Sequence, residues 1–391
     1  MSGIKEAKRK RIEKHRKRRR RRKMKRILAF IGVLAVILAF VLILRAIFKD
    51  APEDEGKEPN KITNLILNNK EEENEAAPEP IEITVSMMGD CTLGRDANNN
   101  YSTSLNAYYE SHGADYFFQN VRSILEQDDL SIVNMEGTFT DSDVRAEKQF
   151  AFKAPSEYAA ILTGSSVEAA NLANNHSKDY GLQSYEDTIS VLDEAGIVNF
   201  GYERVQIMDI KGVKVGLTGV YELAKGIDAK ADLIANIASL KEQGAQLIIV
   251  SFHWGTEREY WPDSVQKELA HTAIDEGADL VVGHHPHVLQ GVEKYKGKYI
   301  AYSLGNFCFG GNKNPTDKDT MIFQQTFTVT AEGVEINDNI NIIPCSLSSV
   351  SSHNDYCPTP LEGDAAKRVQ DKIEQYSEGL STQPDPVENE E

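Results

Sequence analysis

The sequence predicts an α/β domain that is preceded by one transmembrane helix. Residues 27–44 form an apolar run without a charge or a proline, which with the short apolar extension to residue 48 crosses a hydrocarbon layer about 30 Å thick. From residue 81 onward, short apolar strands alternate with amphipathic helices and are followed by hairpins. That order is typical of a layered α/β domain with a mixed sheet or two packed sheets.

Charge is distributed very unevenly along the chain. Residues 1–26 contain sixteen Lys and Arg and two Glu, a net charge of +14, so the total of −17 leaves −31 for the remaining residues.

The apolar run is longer than the core of a signal peptide, about 7–15 residues, and no small-residue cleavage site follows it. Since basic flanks stay inside, we predict a cytoplasmic polybasic segment at 1–26, a transmembrane anchor at 27–48 and an extracytoplasmic remainder.

The basic segment is expected to lie against anionic lipid, because it adjoins the membrane span. We expect no nucleic-acid partner for it. Residues 49–80 are acidic and rich in Pro and Asn, which predicts a linker, and residues 379–391 predict an acidic disordered tail. The globular domain is therefore placed at 81–378. Cys345 and Cys357 lie twelve positions apart, and a disulfide between them is left open.

Periodicity assigns the elements of this domain in order. Single strands are predicted at residues 81–88, 130–135, 167–172, 247–252 and 280–282. Hairpins are predicted at 205–220 and 292–304, and two further strands flank 331–333. Helices are predicted at 115–127, 182–194 and 264–276, with a terminal helix whose apolar stripe is Ala366, Val369, Ile373 and Tyr376.

Residues that can bind a metal follow five of the predicted strands. They are Asp90, Glu136, Asn175 with His176, His253, and the cluster His284, His285 and His287. Ligands of open α/β sheets bind at the carboxyl ends of the strands, so these side chains are expected to converge. Imidazole, carboxylate and amide donors suit Mn, Zn, Fe or Ni. The pattern predicts one or two divalent ions in a hydrolytic site.

Four other polar residues adjoin these motifs. Arg95 is a candidate for pairing with an anionic substrate, with a structural salt bridge as the alternative. Asp179 and Glu257 are candidates for orienting the neighbouring histidines, with solvated loop positions as the alternative. Asn306 is expected to line the cleft, and Trp254 and Trp261 are either substrate walls or core residues.

Six motifs occur in order along residues 83–309: GDCTLGRD, NMEGTF, NLANNHSKDYG, HWGTE, GHHPHVLQG and YSLGNF. In this order they resemble the CapA family of poly-γ-glutamate capsule biosynthesis proteins, which is related to calcineurin-like metallophosphoesterases. The resemblance implies a four-layer αββα sandwich. It also assigns the metal ligands, which are Asp90, Glu136, Asn175, His253, His285 and His287.

The same resemblance gives the other site residues their roles. It implies that His176 faces the substrate, unligated, as the general acid, and it leaves His284 as an extra residue. His284 is a candidate for supporting the ligands or the substrate from outside the metal shell, and we expect it to tolerate substitution. Two positions depart from the metallophosphoesterase pattern. Thr92 stands where Asp-x-His would place a histidine, and the bridging residue is the glutamate of NMEG. The loss of an imidazole at position 92 weakens the first of two metal positions.

The function implied is that of a membrane-anchored protein of poly-γ-glutamate synthesis or export. Its outer domain would carry a metal-dependent hydrolase site for an anionic envelope substrate, with polyglutamate synthase subunits as partners. The alternative is a non-catalytic accessory subunit whose metal is structural. Because the chain beyond residue 26 carries −31, contact with a polyanion must be local or bridged by a cation.

Overall fold

The computed structural model describes residues 79–380. The predicted polybasic segment, the transmembrane helix and nearly all of the linker lie outside the described residues, as does the tail from residue 381. Within residues 79–380, no helix combines the length and the apolarity needed to cross a membrane.

Strands and helices alternate through the first two thirds of the described chain. The strands are β1 (Ile81–Thr92), β2 (Arg95–Asp96), β3 (Leu130–Met135), β4 (Thr138–Phe139), β5 (Phe152–Ala154), β6 (Ala169–Asn171), β7 (Val198–Phe200), β8 (Gln206–Ile210), β9 (Val213–Tyr221), β10 (Leu247–His253), β11 (Leu280–His284), β12 (Val292–Tyr295), β13 (Lys298–Ala301), β14 (Asn306–Phe309), β15 (Asp319–Thr330), β16 (Gly333–Val334), β17 (Ile340–Ser346) and β18 (Thr359–Pro360). The α-helices are α1 (Leu105–His112), α2 (Arg122–Leu125), α3 (Ala160–Thr163), α4 (Gly181–Glu194), α5 (Lys230–Glu242), α6 (Ser264–Asp275) and α7 (Gly363–Ser377).

Two large mixed sheets organise the described residues, and β2, β5 and β4 form a third, three-stranded sheet. The larger has the order β18-β17-β15-β1-β3-β6-β7, with β14 also on β1 and β16 on β15, and the second has the order β12-β13-β11-β10-β9-β8. In the larger sheet β1, β3, β6 and β7 are parallel, and in the second β9, β10, β11 and β13 are parallel. The predicted α/β class with mixed sheets is confirmed, and both predicted hairpins form, as β8–β9 and β12–β13.

The two sheets pack face to face. Met87 and Phe323 from the larger sheet share one buried core with Ile249 and Val282 from the second. Burying a side chain of this size contributes about 1.5–3 kcal/mol, so this shared core is a main source of stability. Helix α7 adds Val369 and Ile373 to the same core.

Helices cover the outer face of each sheet. Ile161 of α3 and Leu192 of α4 pack on the larger sheet beside Val133. On the second sheet, Ile237 of α5 and Ala270 of α6 pack beside Val250 and Val281. Alternate residues of a strand face opposite sides, so strand β10 sends Ile249 to the core between the sheets and Val250 to the helices.

The structure corrects one predicted helix and decides one question that the sequence left open. The predicted helix at 115–127 is reduced to a 3₁₀ turn at Ala114–Tyr116 and the short α2, because the chain turns to bury the adjacent Phe117 and Phe118 together. The disulfide left open for Cys345 and Cys357 does not form, since both are free, buried thiols. Cys345 Sγ donates to the carbonyl of Ile343 at 3.4 Å and Cys357 Sγ to that of Tyr116 at 3.3 Å.

The carboxyl group of Glu168, at the amino end of β6, makes stability depend on pH. Its Oε2 accepts the backbone N–H of Ser131 at 2.7 Å, and burial raises the pKa from 4.5 to about 7. Because the pKa of Glu168 is higher in the folded than in the unfolded state, its contribution to stability is fully present below pH 4.5. That contribution is lost as the pH rises through 7.

We therefore expect Glu168→Gln to raise the free energy of unfolding by about 1–3 kcal/mol at pH 8 and to leave it unchanged at pH 4. Denaturant unfolding of both proteins at the two pH values measures this difference. A gain of equal size at both pH values would contradict a titration effect and indicate improved packing instead.

Candidate metal centre

The carboxyl ends of the parallel strands of both sheets carry the predicted ligands. Asp90 lies near the end of β1, Glu136 follows β3, Asn175 follows β6, His253 ends β10, and His285 and His287 follow β11. In the ladders of β1, Asp90 lies opposite Asn134 on one side and Asn306 on the other. The second sheet places His253 opposite His284. The strand ends thus bring residues distant in sequence into one cluster.

Glu136 lies at the centre of this cluster. Its Oε1 is 3.6 Å from His253 Nε2 and 3.9 Å from the Nε2 atoms of both His176 and His287. Donor atoms of Glu136, His285 and His287 all lie within 4.8 Å of one another. Two ligands bound at about 2.1 Å to one ion lie about 3.0–3.4 Å apart, so these side chains would have to move slightly closer together to share a cation.

Asp90 and Asn175 extend the same cluster. Asp90 Oδ2 lies 3.4 Å from His287 Nδ1 and accepts the backbone N–H of His285 at 3.2 Å. Asn175 Oδ1 lies 2.9 Å from His253 Nε2. All six predicted metal ligands therefore belong to one connected group of side chains.

Two buried atoms of this group have no hydrogen-bond partner among the described residues. They are Glu136 Oε1 and His285 Nδ1. Leaving a buried polar atom unpaired costs about 1–3 kcal/mol, so two such atoms in one cluster indicate a missing common ligand. Carboxylate, amide and imidazole donors together suit a divalent transition metal. The residues present therefore fit such an ion.

The ionisable side chains of the cluster have strongly shifted pKa values. Burial raises the pKa of Glu136 well above its usual value, and burial with the charge of His287 lowers the pKa of His285 to about 4. Burial opposes charge on His287 as well, but Glu136 and Asp90 raise its pKa to about 10. Because an imidazole binds metal in its neutral form, a cation at this position must displace the proton of His287.

The backbone of the HHPH turn is strained at both of the predicted ligand histidines. His285 has φ of 98° and His287 has φ of 57°, in the left-handed region that costs a side-chain-bearing residue about 1–2 kcal/mol. Strain of this kind persists where the surroundings enforce it, and it concentrates at functional sites. The turn directs both imidazoles back over the strand ends.

Asp179 orients His176 as expected. Its Oδ2 accepts from His176 Nδ1 at 2.7 Å and from the backbone N–H of Phe152 at 2.6 Å. The Nε2 of His176 therefore faces Glu136 and the cluster. Lys148 Nζ donates to Asp179 Oδ1 at 2.8 Å and to the carbonyl of Asn175 at 2.9 Å, so this lysine joins the ligand loop to the histidine–aspartate pair.

Comparison with known proteins matches residues 84–311 to the family described as bacterial capsule synthesis protein PGA_cap. The chain belongs to this family. The CapA capsule biosynthesis protein of Bacillus anthracis is 31% identical over 315 residues, covering 74% of this chain and 72% of that protein. The PGA biosynthesis protein CapA of Bacillus subtilis is 28% identical over 307 residues, covering 73% and 76%. A probable polyglutamine synthesis accessory protein of Mycobacterium tuberculosis is 29% identical over 211 residues, covering 46% and 55%.

In this member of the PGA_cap family, two asparagines hold the ligands in place. Asn134 Nδ2 donates to Asp90 Oδ1 at 2.7 Å and lies 3.2 Å from His253 Nδ1. Asn306 Oδ1 lies 2.8 Å from His287 Nδ1, and its Nδ2 donates to the carbonyl of His287 at 3.2 Å. Asn134 was not predicted as a site residue, although it lies near the carboxyl end of β3, two positions before the predicted ligand Glu136.

Arg95 and Glu257 lie apart from the ligand contacts, whereas Thr92 contacts a predicted ligand. Arg95 Nη1 donates to three carbonyls of its own loop, those of Asp96, Ala97 and Asn99, at 3.1–3.2 Å. Glu257 is exposed, and among the described residues no hydrogen bond joins it to a histidine. Thr92 Oγ1 donates to Glu136 Oε2 at 3.4 Å. Trp254 is fully buried and stacks on Phe252, whereas Trp261 is 53% exposed.

His284 makes structural contacts that argue against the expectation that it tolerates substitution. It lies on the same side of β11 as Val282, between the sheets, and is fully buried. Its Nδ1 is 3.1 Å from the carbonyl of Phe252 and its Nε2 is 3.1 Å from that of Met88. The imidazole therefore bridges the two sheets directly below the ligand turn.

We expect His284→Ala to lower the free energy of unfolding by about 2–4 kcal/mol, because buried carbonyls lose their donor and a cavity remains. Denaturant unfolding measures the loss. His353→Ala, at an exposed position, is the matched control and should change stability by less than about 1 kcal/mol. Equal stabilities for the two variants would contradict the bridging role.

Proposed function

We propose that residues 81–378 act as a metal-dependent hydrolase on an anionic cell-envelope substrate, in the synthesis or export of a poly-γ-glutamate capsule. One observation carries the proposal: Glu136 Oε1 is buried between imidazole nitrogens without a hydrogen-bond partner among the described residues. Membership of a capsule synthesis family supports the biological process. The proposed relation to the calcineurin-like metallophosphoesterases supports the reaction class.

Six residues would hold the divalent ion or ions: Asp90, Glu136, Asn175, His253, His285 and His287. When bound, a divalent ion supplies Lewis acidity, which lowers the pKa of water and polarises the bond to be cleaved. The chain itself supplies the proton. Asp179 accepts a hydrogen bond from Nδ1–H of His176, so in the imidazolium form the second proton, on Nε2, points toward the leaving group.

The site would act outside the cell. The proposed arrangement keeps residues 1–26 in the cytoplasm, spans the membrane with 27–48 and extends the domain on the linker 49–80. This orientation follows from the basic flank of the apolar run. Polyglutamate synthase subunits in the same membrane are the proposed partners.

The test uses the purified full-length protein. Metal content is measured by mass spectrometry, and phosphomonoester, phosphodiester and γ-glutamyl substrates are assayed. We expect at least one bound divalent ion and hydrolysis of one substrate class. If His176→Ala and His287→Ala both matched the wild type in every activity found, the catalytic assignment would fail.

One observation favours a second candidate, a non-catalytic accessory subunit with a structural metal. Thr92 presents a hydroxyl, hydrogen-bonded to Glu136 Oε2 at 3.4 Å, where the metallophosphoesterase pattern has an imidazole. A weaker first metal position would leave binding intact but reduce turnover. Stoichiometric metal without any hydrolysis, together with co-purification of synthase subunits, would support this candidate over the first.

A further inference from the structure

A cavity of about 280 Å³ opens next to the predicted metal ligand Asn175. Its other walls include Lys178, Tyr202, Tyr221 and Lys225. Pockets for drug-sized ligands occupy about 300–1,000 Å³. The cavity is therefore of a size to hold one side group of a larger molecule whose reacting part lies at the metal centre.

Lys178 forms no ion pair with a carboxylate among the described residues, although Glu203 and Asp232 also line the cavity. Its Nζ lies over the rings of Tyr202 and Tyr185, 4.9 and 5.4 Å from their centroids. Aromatic faces attract and position an ammonium group without cancelling its charge. Lys225, which also lines the cavity, differs because it forms an ion pair with Asp232.

The aromatic wall behind Lys178 is fixed in position. The hydroxyl of Tyr202 donates to the carbonyl of Asn174 at 2.9 Å and lies 2.7 Å from Ser177 Oγ. The Tyr202 ring packs edge-on against Tyr185 at 5.8 Å and Tyr221 at 6.2 Å. The cation therefore rests on a rigid support, which reduces the entropy lost when it binds an anion.

Tyr221 offers a neutral donor beside this cation. Its ring lies 6.2 Å from the ring of His253, and within residues 79–380 its hydroxyl makes no hydrogen bond. Burial raises the pKa of Tyr221, so the hydroxyl keeps its proton. An ammonium and a free hydroxyl thus line one small cavity at the edge of the metal centre.

We propose that this cavity binds a carboxylate or phosphate group of the substrate, with Lys178 as the counter-ion and Tyr221 as a hydrogen-bond donor. The proposal rests on the proposed function, because it places the group beside the reacting centre. The proposal also explains how an acidic protein could bind an anionic substrate. The chain beyond residue 26 carries −31 and repels an anion on average, so binding requires a local cation of this kind.

The test is calorimetric titration of the metal-loaded full-length protein with glutarate and with inorganic phosphate. We expect Lys178→Gln to weaken binding by about five- to tenfold, and Tyr221→Phe by about threefold. Lys225→Gln, a lysine of the same cavity that is already paired, is the matched control and should stay within about twofold. Tighter binding of glutarate would identify a carboxylate group, and tighter binding of phosphate a phosphate group.

The proposal is overturned if neither probe binds the wild type, or if Lys178→Gln binds both probes as the wild type does. Metal content of the same samples separates this result from the proposed function. If the protein holds no metal but still binds a probe through Lys178, the proposed hydrolase function is contradicted and the cavity assignment is kept. If the protein holds its full metal content but binding does not depend on Lys178, the cavity assignment is contradicted and the proposed function is kept.

Discussion

Replacing Glu136 with glutamine is expected to lower the metal content of the purified protein at least about tenfold, and to abolish any hydrolysis. Replacing partners outside the ligand shell already costs about 10–100-fold in metal affinity. Glu136 is a more severe case, because its Oε1 lies within 3.9 Å of three imidazole nitrogens. The amide keeps the size of the side chain but removes the negative charge at the centre of the cluster.

Metal content by mass spectrometry after dialysis against a chelator and reloading measures this effect. Glu257→Gln makes the same chemical change at an exposed position of a ligand-bearing loop, and it should keep wild-type metal content. Circular dichroism shows whether Glu136→Gln remains folded. A folded Glu136→Gln protein that retains its metal would remove Glu136 from the ligand set and with it the main support for the proposed function.

The candidate site could be predicted because a local feature of the sequence, an apolar strand, marks the position of each ligand. Each ligand lies near the end of an apolar strand or in the loop after it, and β3 occupies Leu130–Met135 as its apolar run predicts. Parallel strands then align their carboxyl ends by the geometry of the sheet alone. A polar residue at the end of one parallel strand is therefore predicted to lie near the polar residues at the ends of the other parallel strands. This prediction does not require the order of the strands in the sheet.

Lys148 and His284 show why the rest could not be predicted. Lys148 lies between β4 and β5 in a segment without apolar periodicity, and only the folded loop brings its Nζ to Asp179. His284 looks equivalent to its neighbours in the sequence, but strand alternation turns it between the sheets. In both cases the deciding contact joins elements distant in the chain, and a local pattern carries no information about it.

Helix α5 was missed for a different reason. Its buried residues Leu233, Ile237 and Leu240 have helical spacing, so the signal is present. Ile234 and three alanines at other positions of the helix are apolar as well, however, and they blur the amphipathic stripe. The helix is stabilised mainly by packing on the second sheet. Tertiary contacts therefore decide its formation more than its own sequence does.

Replacing His176 with alanine is expected to reduce the turnover number about 10²–10⁴-fold while leaving the metal content within about twofold of the wild type. His176 lies 3.9 Å from Glu136 Oε1, but its Nδ1 is held by Asp179, which suits a proton donor facing the substrate. The loss should therefore fall on the chemical step. Steady-state kinetics with metal analysis of the same samples separates the two effects.

The leaving group of the substrate provides the sharper test of this role. A general acid matters most when the departing oxygen is strongly basic and must be protonated as it leaves. We expect His176→Ala to lose most of its activity on an alkyl ester but at most about tenfold on an activated aryl ester, whose leaving group needs no proton. Equal losses on the two esters would show that His176 binds or positions the substrate, and the proton would then have to come from another group.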